Sequence, residues 1–288
     1  MEMNNTKIVI DDSIKIYKRG SIEVVALRGL SCTFHKGEIA VIMGPSGCGK
    51  TTLLNMIGGL DRLNSGKIIV DGQDIAQFTD KEVEKYRRAK IGFVFQFMNL
   101  IPELNAVENI TLPLELSGTL TKERKEFIQE LLKIVGLEDR QNHRPDELSG
   151  GEQQRISIAA ALANDPEIIL CDEPTGELDS LSKKVVMDLL RSVIEKFPEK
   201  TMIIVSHDPE LKAIADQMFY IRDGNISHTF TKSELQAKQQ ATLTPGDVQT
   251  YMPSNPDETN KAILTELRHI DHFVKDKINS IEKKMHPV

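Results

Sequence analysis

The feature that most constrains this chain is a glycine-rich segment between an apolar run and a helical pattern. Its residues are Gly44, Pro45, Ser46, Gly47, Cys48, Gly49, Lys50 and Thr51. The run Ile39 to Met43 before it predicts a buried strand, and Thr52 to Ile57 after it has the pattern of a helix. A strand, a glycine turn and a helix in this order gather backbone N–H groups and a helix N-terminus around one small volume, which suits phosphate oxygens.

The segment fits the P-loop pattern, so we predict an α/β fold with a P-loop NTPase core and a parallel sheet. In such a loop Lys50 reaches the β- and γ-phosphates and Thr51 ligates Mg²⁺, and we assign Thr52 to the same nucleotide site. A plain glycine turn is the alternative. The Lys-Thr pair and both flanking elements favour a nucleoside triphosphate, with ATP and Mg²⁺ as the expected cofactors.

From Thr6 to about His228, short apolar runs alternate with helical patterns, which is typical of a parallel sheet covered by helices. Closer spacing near the N-terminus predicts an antiparallel β addition. Its candidate strands are Ile8 to Ile10, Ile14 to Tyr17, Val24 to Leu27 and Ser31 to Phe34. Between about residues 97 and 165 apolar positions recur at helical spacing, which predicts a helical lobe. We therefore predict one nucleotide-binding domain over residues 4–228.

After His228 the composition shifts to residues that favour a loose connector, and we predict a linker over residues 229–257. Residues 258–286 repeat a 4-3-4 spacing of apolar side chains, which predicts an amphipathic helix. The apolar positions are Ile263, Leu267, Ile270, Val274, Ile278, Ile281 and Met285. Packing on its own domain, contact with a second copy and docking on a partner protein are all open for this helix.

Composition excludes several functional classes. A net charge of −7 and a pI near 5.6 oppose nucleic-acid binding, because affinity for phosphodiesters comes from clustered Lys and Arg. Cys32, Cys48 and Cys171 are too few and too scattered for a disulfide framework or a zinc site. The apolar runs are too short to cross a bilayer, and the N-terminus lacks a signal-peptide pattern. We expect a cytoplasmic protein whose membrane role comes through a partner.

Two adjacent acids close a second apolar run. Ile168 to Cys171 predicts a buried parallel strand, and Asp172 and Glu173 follow at its carboxyl end. We assign Asp172 to Mg²⁺ through water and Glu173 to the attacking water of a hydrolysis. Solvated acids in a strand-end turn are the alternative, but the phosphate loop upstream favours the metal site.

A second glycine-flanked helix start lies at Leu148 to Arg155, just before the helical run Ile156 to Ala163. Ser149, Gly150 and Gly151 would present another anion site there. Together with the P-loop, this segment resembles the signature sequence of ABC-type ATPases, which contacts the ATP held by the opposite subunit. An isolated Ser-Gly-Gly would be only a helix cap.

The resemblance covers about Lys7 to His228 and implies further roles. By it, Tyr17 stacks on adenine, Asp179 crosses the dimer interface and His207 contacts the γ-phosphate. Gln96 would join Mg²⁺ to the membrane partner. Each residue alone also fits a structural role, but their common order favours the family. The residues with catalytic roles under this resemblance are Lys50, Gln96, Glu173 and His207.

Two stretches, Gly92 to Phe97 and Arg144 to Leu148, resemble the lipoprotein-release, macrolide-export and cell-division branch. Its ATPases pair with permeases that carry large extracytoplasmic domains. Two positions depart from the family pattern, which usually has Asn or Ala at Glu177 and Arg at Ala160. Both are expected near the dimer interface, where an added acid and a missing base would weaken closure or favour an unlike partner chain.

The resemblance implies an ATP-hydrolysing subunit that lies on the cytoplasmic face of the cell membrane and drives a separate integral-membrane permease. It implies a second nucleotide-binding subunit, expected to be an identical chain. A soluble ABC-type ATPase without a transport role is the alternative, although the chain lacks the long heptad insertion or second cassette of such proteins. A small-molecule kinase would leave Leu148 to Arg155 without a task.

Overall fold

Two β-sheets and a set of covering helices make up the part of the chain that the computed structural model describes, residues 5–20 and 22–235. The strands are β1 Thr6–Arg19, β2 Ile22–His35, β3 Ile39–Met43, β4 Ser65–Val70, β5 Gln73–Asp74, β6 Ile91–Val94, β7 Ile168–Asp172, β8 Thr201–Ser206, β9 Gln217–Arg222 and β10 Asn225–Thr231. The α-helices are α1 Lys50–Ile57, α2 Asp80–Lys90, α3 Ala106–Ser117, α4 Lys122–Ile134, α5 Gly150–Leu162 and α6 Ser180–Lys196. Short 3₁₀ turns span Ile75–Gln77, Glu138–Arg140, Pro145–Glu147 and Pro209–Ala213.

The larger sheet has the order β10-β9-β3-β8-β7-β6, and its strands from β9 to β6 are parallel. Every residue of β3 and β8 is buried, as expected for parallel strands that are covered on both faces. Met43 pairs with Ser206, and Asp172 pairs with Val205. The carboxyl ends of β3, β8 and β7 therefore meet at one edge of the sheet, which brings the glycine loop, the two acids and His207 together.

The smaller sheet has the order β2-β1-β4-β5 and is antiparallel, which confirms the predicted addition. Its first two strands are 14 residues each, so the prediction of four short strands was wrong. The register shifts between Ile10 and Ser13, where Asp12 has a φ of 45° beside Gly29. This bulge interrupts the apolar alternation without ending either strand. In the sequence pattern the interruption therefore resembles a break between two short strands.

Helices α3, α4 and α5 form the predicted helical lobe. Thr121 caps α4 by accepting a hydrogen bond from the Arg124 N–H, and Asn105 begins α3 in the same way. Ile110, Leu131 and Ile156 are fully buried, one from each helix, and belong to a common core cluster. The lobe is thus anchored by apolar contacts between its own helices. Its limits near residues 97 and 165 stay a prediction.

The last described residues continue the compact core. Strand β10 runs past His228 to Thr231, Leu235 is buried, and the Lys232 ammonium lies 2.6 Å from the buried Asp216 carboxylate. The predicted domain end at 228 and linker from 229 stay predictions. Residues 236–288, which include the predicted amphipathic helix over 258–286, lie outside the described residues. Within residues 5–20 and 22–235, no helix is long and apolar enough to span a bilayer.

Candidate functional site

The glycine loop bends sharply between β3 and α1. Gly44 and Gly49 have φ angles of 155° and 108°, which L side chains rarely adopt. A Cβ atom on Gly44 would lie 2.3 Å from the Ile221 carbonyl oxygen, and one on Gly49 would lie 2.5 Å from that of Ala26. Glycine at these two positions therefore lets the loop pass close to β9 and β2. Of the other loop residues, Pro45, Ser46 and Gly47 are exposed and Cys48 is buried.

Lys50 lies beneath this loop at the first residue of α1. Its ammonium donates hydrogen bonds to the carbonyl oxygens of Gly44 at 2.8 Å and Pro45 at 3.0 Å, and the residue is 8% exposed. The N-terminus of α1 has no side-chain cap and no acid in its first turn. Within α1 no acid offsets the positive helix end, and Asp172 of β7 is the carboxylate that interacts with the Lys50 charge. The helix end and the nearly buried ammonium make the loop an anion site.

Thr51 and Asp172 connect the loop to the end of β7. The Thr51 hydroxyl donates to Asp172 Oδ1 at 3.2 Å. Burial raises the pKa of Asp172, Glu173 raises it further, and the hydrogen bond from Thr51 opposes both. A partly desolvated carboxylate beside a hydroxyl is a hard oxygen pair that fits Mg²⁺, which takes few protein ligands when phosphates and water complete its shell. Among the described residues, no three His, Cys, Asp or Glu side chains form a metal cluster of their own.

Glu173 has the most restrained carboxylate of the site. Its Oε2 accepts hydrogen bonds from the Ser206 hydroxyl at 2.6 Å and the His207 N–H at 3.3 Å, and its Oε1 lies 2.9 Å from His207 Nδ1. Its backbone has a φ of 47°, which is uncommon for glutamate, while its N–H donates to the Val205 carbonyl at 2.9 Å. The result is a fixed acceptor at the sheet edge. Ser206 was missed by the sequence analysis, and its position just before His207 was the available signal.

Gln96 follows β6 and contacts the residue that departs from the family pattern. Its Nε2 donates to Glu177 Oε1 at 3.1 Å. Ala160, the other departure, lines a cavity of about 250 Å³ together with Phe95 and Met98. The predicted position of both residues near a dimer interface stays a prediction, because the structure contains one chain. Within one chain, Glu177 accepts a hydrogen bond from Gln96, and Ala160 lines a cavity together with residues next to Gln96.

The signature residues lie at the N-terminus of α5, where Ser149 and Glu152 form a capping box. A Cβ atom on Gly151 would lie 2.7 Å from Ser182 Oγ, so α5 packs closely against the start of α6. Asp179 caps α6 and accepts from the backbone and hydroxyl of Ser182 at 3.0 and 2.7 Å. These hydrogen bonds hold the pKa of the Asp179 carboxyl below its usual value. Gly151 thus packs against α6, and among the described residues no hydrogen bond joins the signature to the glycine loop.

Tyr17 lies on β1 opposite Val24 and is 39% exposed. Partial burial raises the pKa of its hydroxyl, Asp61 raises it too, and Thr52 lowers it. Its neighbours therefore include a residue of α1 and a residue of the loop after that helix. The structure places Tyr17 and Thr52 in one cluster, as expected for parts of a single nucleotide site.

Known proteins share this arrangement. The chain matches the family model described as ABC transporter over residues 27–176. It is 47% identical over 215 residues to an uncharacterised ABC transporter ATP-binding protein of Thermotoga maritima. That alignment covers 75% of this chain and 91% of the relative. The chain is 44% identical to the lipoprotein-releasing system ATP-binding protein LolD of Bacteroides fragilis, over 72% of this chain and 94% of the relative.

A solved structure leads to the same family. The ATP-binding cassette MJ0796 of Methanocaldococcus jannaschii, in a dimeric post-hydrolysis state with ADP and Pi, matches with a TM-score of 0.71 and 41% identity. The match covers 78% of this chain and 98% of that one. The predicted P-loop fold and the predicted branch are both confirmed. Similarity at this level shows that the chain belongs to the ABC transporter family, as one of its ATP-binding, ATP-hydrolysing subunits.

Proposed function

We propose that this chain powers a separate integral-membrane permease, and that two identical chains close around two ATP molecules to do so. The observation that carries the proposal is the fixed Glu173 carboxylate beside the Thr51–Asp172 pair, at the edge of the sheet where the glycine loop lies. An anion site, a metal-binding pair and a water-orienting acid then converge on one γ-phosphate. The names of the relatives, which include the ATP-binding protein of a lipoprotein-releasing system, support the permease partner.

Binding begins at the glycine loop. Backbone N–H groups of residues 46–51 at the start of α1 surround the triphosphate, and Lys50 exchanges its two carbonyl partners for phosphate oxygens. Thr51 and Asp172 would hold Mg²⁺, which supplies positive charge to the β- and γ-phosphates when bound. Gln96 lies within the same edge and is assigned to the same ion. Tyr17 would stack on adenine.

Hydrolysis depends on the geometry around Glu173. Its carboxylate accepts a hydrogen bond from the attacking water and aligns it with the γ-phosphate. Ser206 and His207 prevent the carboxylate from rotating away. The His207 side chain is 73% exposed, so its ring can also contact the transferring phosphoryl group. Lys50 stabilises the charge that spreads over that group.

The second copy completes the site. Since Gly151 packs against Ser182 of its own α6 and Ser149 hydrogen-bonds Glu152 of its own α5, we assign both residues to the ATP of the opposite subunit. Asp179 would cross the interface beside them. The dimer then closes only when ATP is bound as the shared ligand, and it opens again after hydrolysis.

The loop after Gln96 is the proposed docking site for the permease. Phe97 and Ile101 are 69% and 41% exposed, and Met98 and Leu100 line the cavity of about 250 Å³ beside them. An apolar groove next to the loop glutamine can receive a short permease helix and move with the nucleotide site. With this docking mode we assign the chain to the cytoplasmic face of the cell membrane, as a peripheral protein.

The direct test is Glu173→Gln. We expect ATP binding to persist and hydrolysis to fall by roughly 100-fold or more, because the amide orients water poorly. The variant should then accumulate as an ATP-bound dimer, measured by size-exclusion chromatography with light scattering. Glu199→Gln, at an exposed acid beyond the end of α6, is the matched control and should behave as wild type. A Glu173→Gln chain that stays monomeric in ATP contradicts the proposed pair.

The permease is tested with the same variant. Tagged Glu173→Gln chain, held with ATP, is used to recover partners from detergent-solubilised membranes for mass spectrometry. A stoichiometric integral-membrane permease is the expected result. Recovery of soluble proteins alone would replace the transport role with that of a non-transport ABC-type ATPase.

A further inference from the structure

Next to Tyr17 on β1 lies a buried lysine, Lys15, that takes no part in the proposed mechanism. Lys15 is two residues earlier on β1 and is 8% exposed. Its ammonium donates to Asp61 Oδ1 at 2.6 Å and to the Arg62 carbonyl oxygen at 2.7 Å. The same ammonium lies over the Tyr17 ring, 4.9 Å from the centroid. This contact makes Lys15 and Tyr17 neighbours although the pairing of β1 with β2 shifts register between Lys15 and Ile16.

Asp61 connects this pair to the helix of the glycine loop. Its carboxylate binds the Lys15 ammonium and the Arg62 N–H, the latter at 2.7 Å. Burial alone would raise the pKa of Asp61, but the hydrogen bond from Lys15 and the proximity of the Tyr17 hydroxyl keep it below its usual value. Asp61 lies just after α1, and Thr52 of α1 also acts on the Tyr17 hydroxyl. The ring contact from Lys15 and the Lys15–Asp61 hydrogen bond therefore connect the Tyr17 ring to the segment that follows this helix.

We propose that Lys15 and Asp61 position the Tyr17 ring as a prearranged platform for the base of ATP, so that they govern base affinity and not triphosphate affinity. This inference rests on the proposed function. Lys15 contacts one face of the ring, and 39% of the Tyr17 surface stays exposed for a base. A ring that is ordered before binding loses less conformational freedom when the base stacks on it.

The positive charge of Lys15 is directed to Asp61 and the Tyr17 ring and not to the phosphate site. Its ammonium is neutralised by Asp61 and saturated by two hydrogen bonds and one ring contact, so it is not a phosphate ligand. A cation over one ring face is attracted to the π-electrons and resists rotation of the tyrosine. Both residues act through Tyr17 and are positioning residues. Their removal should change the binding of a ligand with a base and leave a bare triphosphate unaffected.

The test compares ATP with inorganic tripolyphosphate, in a Glu173→Gln background that prevents turnover. The chain has no Trp and four Tyr, so base stacking on Tyr17 is measured as quenching of its share of the tyrosine emission. We expect Lys15→Met to weaken ATP binding about five- to tenfold, with less quenching of Tyr emission, and to leave tripolyphosphate affinity within about twofold. Lys15→Arg, which keeps the cation, should recover most of the ATP affinity.

Two further variants keep the result interpretable. Lys18→Met, at an exposed lysine of β1 that pairs with Glu23 of β2, should leave both affinities unchanged. Asp61→Asn removes the anchor but leaves the Lys15 stem in the core, and we expect a roughly threefold loss for ATP alone. It serves as the decisive variant if Lys15→Met does not fold.

The platform is overturned if both ligands weaken equally in Lys15→Met or Asp61→Asn, since that indicates a distorted glycine loop. Unchanged ATP binding in both variants overturns it as well. Failure of the proposed function is distinguishable, because it would appear in the otherwise wild-type chain as no ATP binding, no hydrolysis or no membrane partner.

Discussion

The chain has two helix N-termini that are proposed to face phosphate, and they are built differently although glycines lie beside both. Helix α1 follows Gly49 and has no side-chain cap and no acid in its first turn. Helix α5 follows Ser149, whose hydroxyl accepts from the Glu152 N–H, while the Glu152 carboxylate accepts from the Ser149 N–H at 2.8 Å. The first end is open, and the second is satisfied by its own side chains.

This difference separates two tasks. The open end of α1, with Lys50 beneath the loop, is a strong anion site within one chain. At α5, Glu152 offsets the helix dipole, and hydrogen bonds from Ser149 hold the pKa of Glu152 below its usual value, so the acid stays charged. A phosphate that approaches Ser149 must displace this carboxylate. The α5 end should therefore bind ATP only when α1 of a second copy already holds it, which makes closure follow binding.

The largest effect is expected at the open end. Lys50→Ala removes the nearly buried side-chain cation beneath the loop, and ATP binding and hydrolysis should each fall by at least about 100-fold. Fluorescent nucleotide binding and phosphate release measure the two losses. Lys67→Ala, at an exposed lysine of β4, is the control. Tight ATP binding by Lys50→Ala would contradict the proposal that the N-terminus of α1 is the stronger anion site of the two.

The second effect sharpens the division of tasks. Ser149→Ala should leave ATP binding to a single chain within about twofold, yet lower hydrolysis by roughly 10- to 100-fold because the pair no longer closes. Equilibrium dialysis at low protein concentration and steady-state hydrolysis separate the two. Thr121→Ala removes the cap of α4 instead and should cost a similar ~1 kcal/mol of stability without loss of activity. Equal activity losses in both variants would reduce Ser149 to a structural cap.

A smaller effect tests the competing carboxylate. Glu152→Gln keeps the capping geometry and removes the charge, so the ATP concentration for half-maximal dimer formation should fall about two- to fivefold. Light scattering in the Glu173→Gln background gives that midpoint. Glu108→Gln, which changes the corresponding acid of the α3 capping box, is the matched control. A higher midpoint in Glu152→Gln would mean that the carboxylate aids closure.

The smallest effect is on stability and pH. Glu152→Ala should lose about 1 kcal/mol of unfolding free energy at pH 7 through the broken capping box. Because hydrogen bonds lower the folded pKa of Glu152, its contribution is present above its ordinary pKa of 4.5 and is lost as the pH falls through the lower folded value. The difference in melting temperature between wild type and Glu152→Ala should therefore narrow as the pH falls below 4.5. A gap that persists in acid would assign the loss to packing.

Local features of the site could be predicted from the sequence. The glycine loop, α1 and the strand before it are contiguous, and Thr121 and Ser149 act as caps within three residues of their partners. Each of these depends on backbone conformations that a few neighbouring residues specify. The two long strands β1 and β2 were misjudged because the bulge at Asp12 breaks the alternation that a pattern can detect.

The partners across the site could not be predicted in this way. Thr51 and Asp172 are 121 positions apart, and Ser206 and Glu173 are 33 apart. Lys15 and Asp61 are ordinary residues in the sequence, and only the packing of β1 against the end of α1 makes them a pair. The sequence by itself determined that the chain binds a nucleoside triphosphate at a strand–loop–helix unit. The tertiary structure decided which carboxylate, hydroxyl and ring meet there, because the order β3-β8-β7 joins distant strand ends that no local pattern relates.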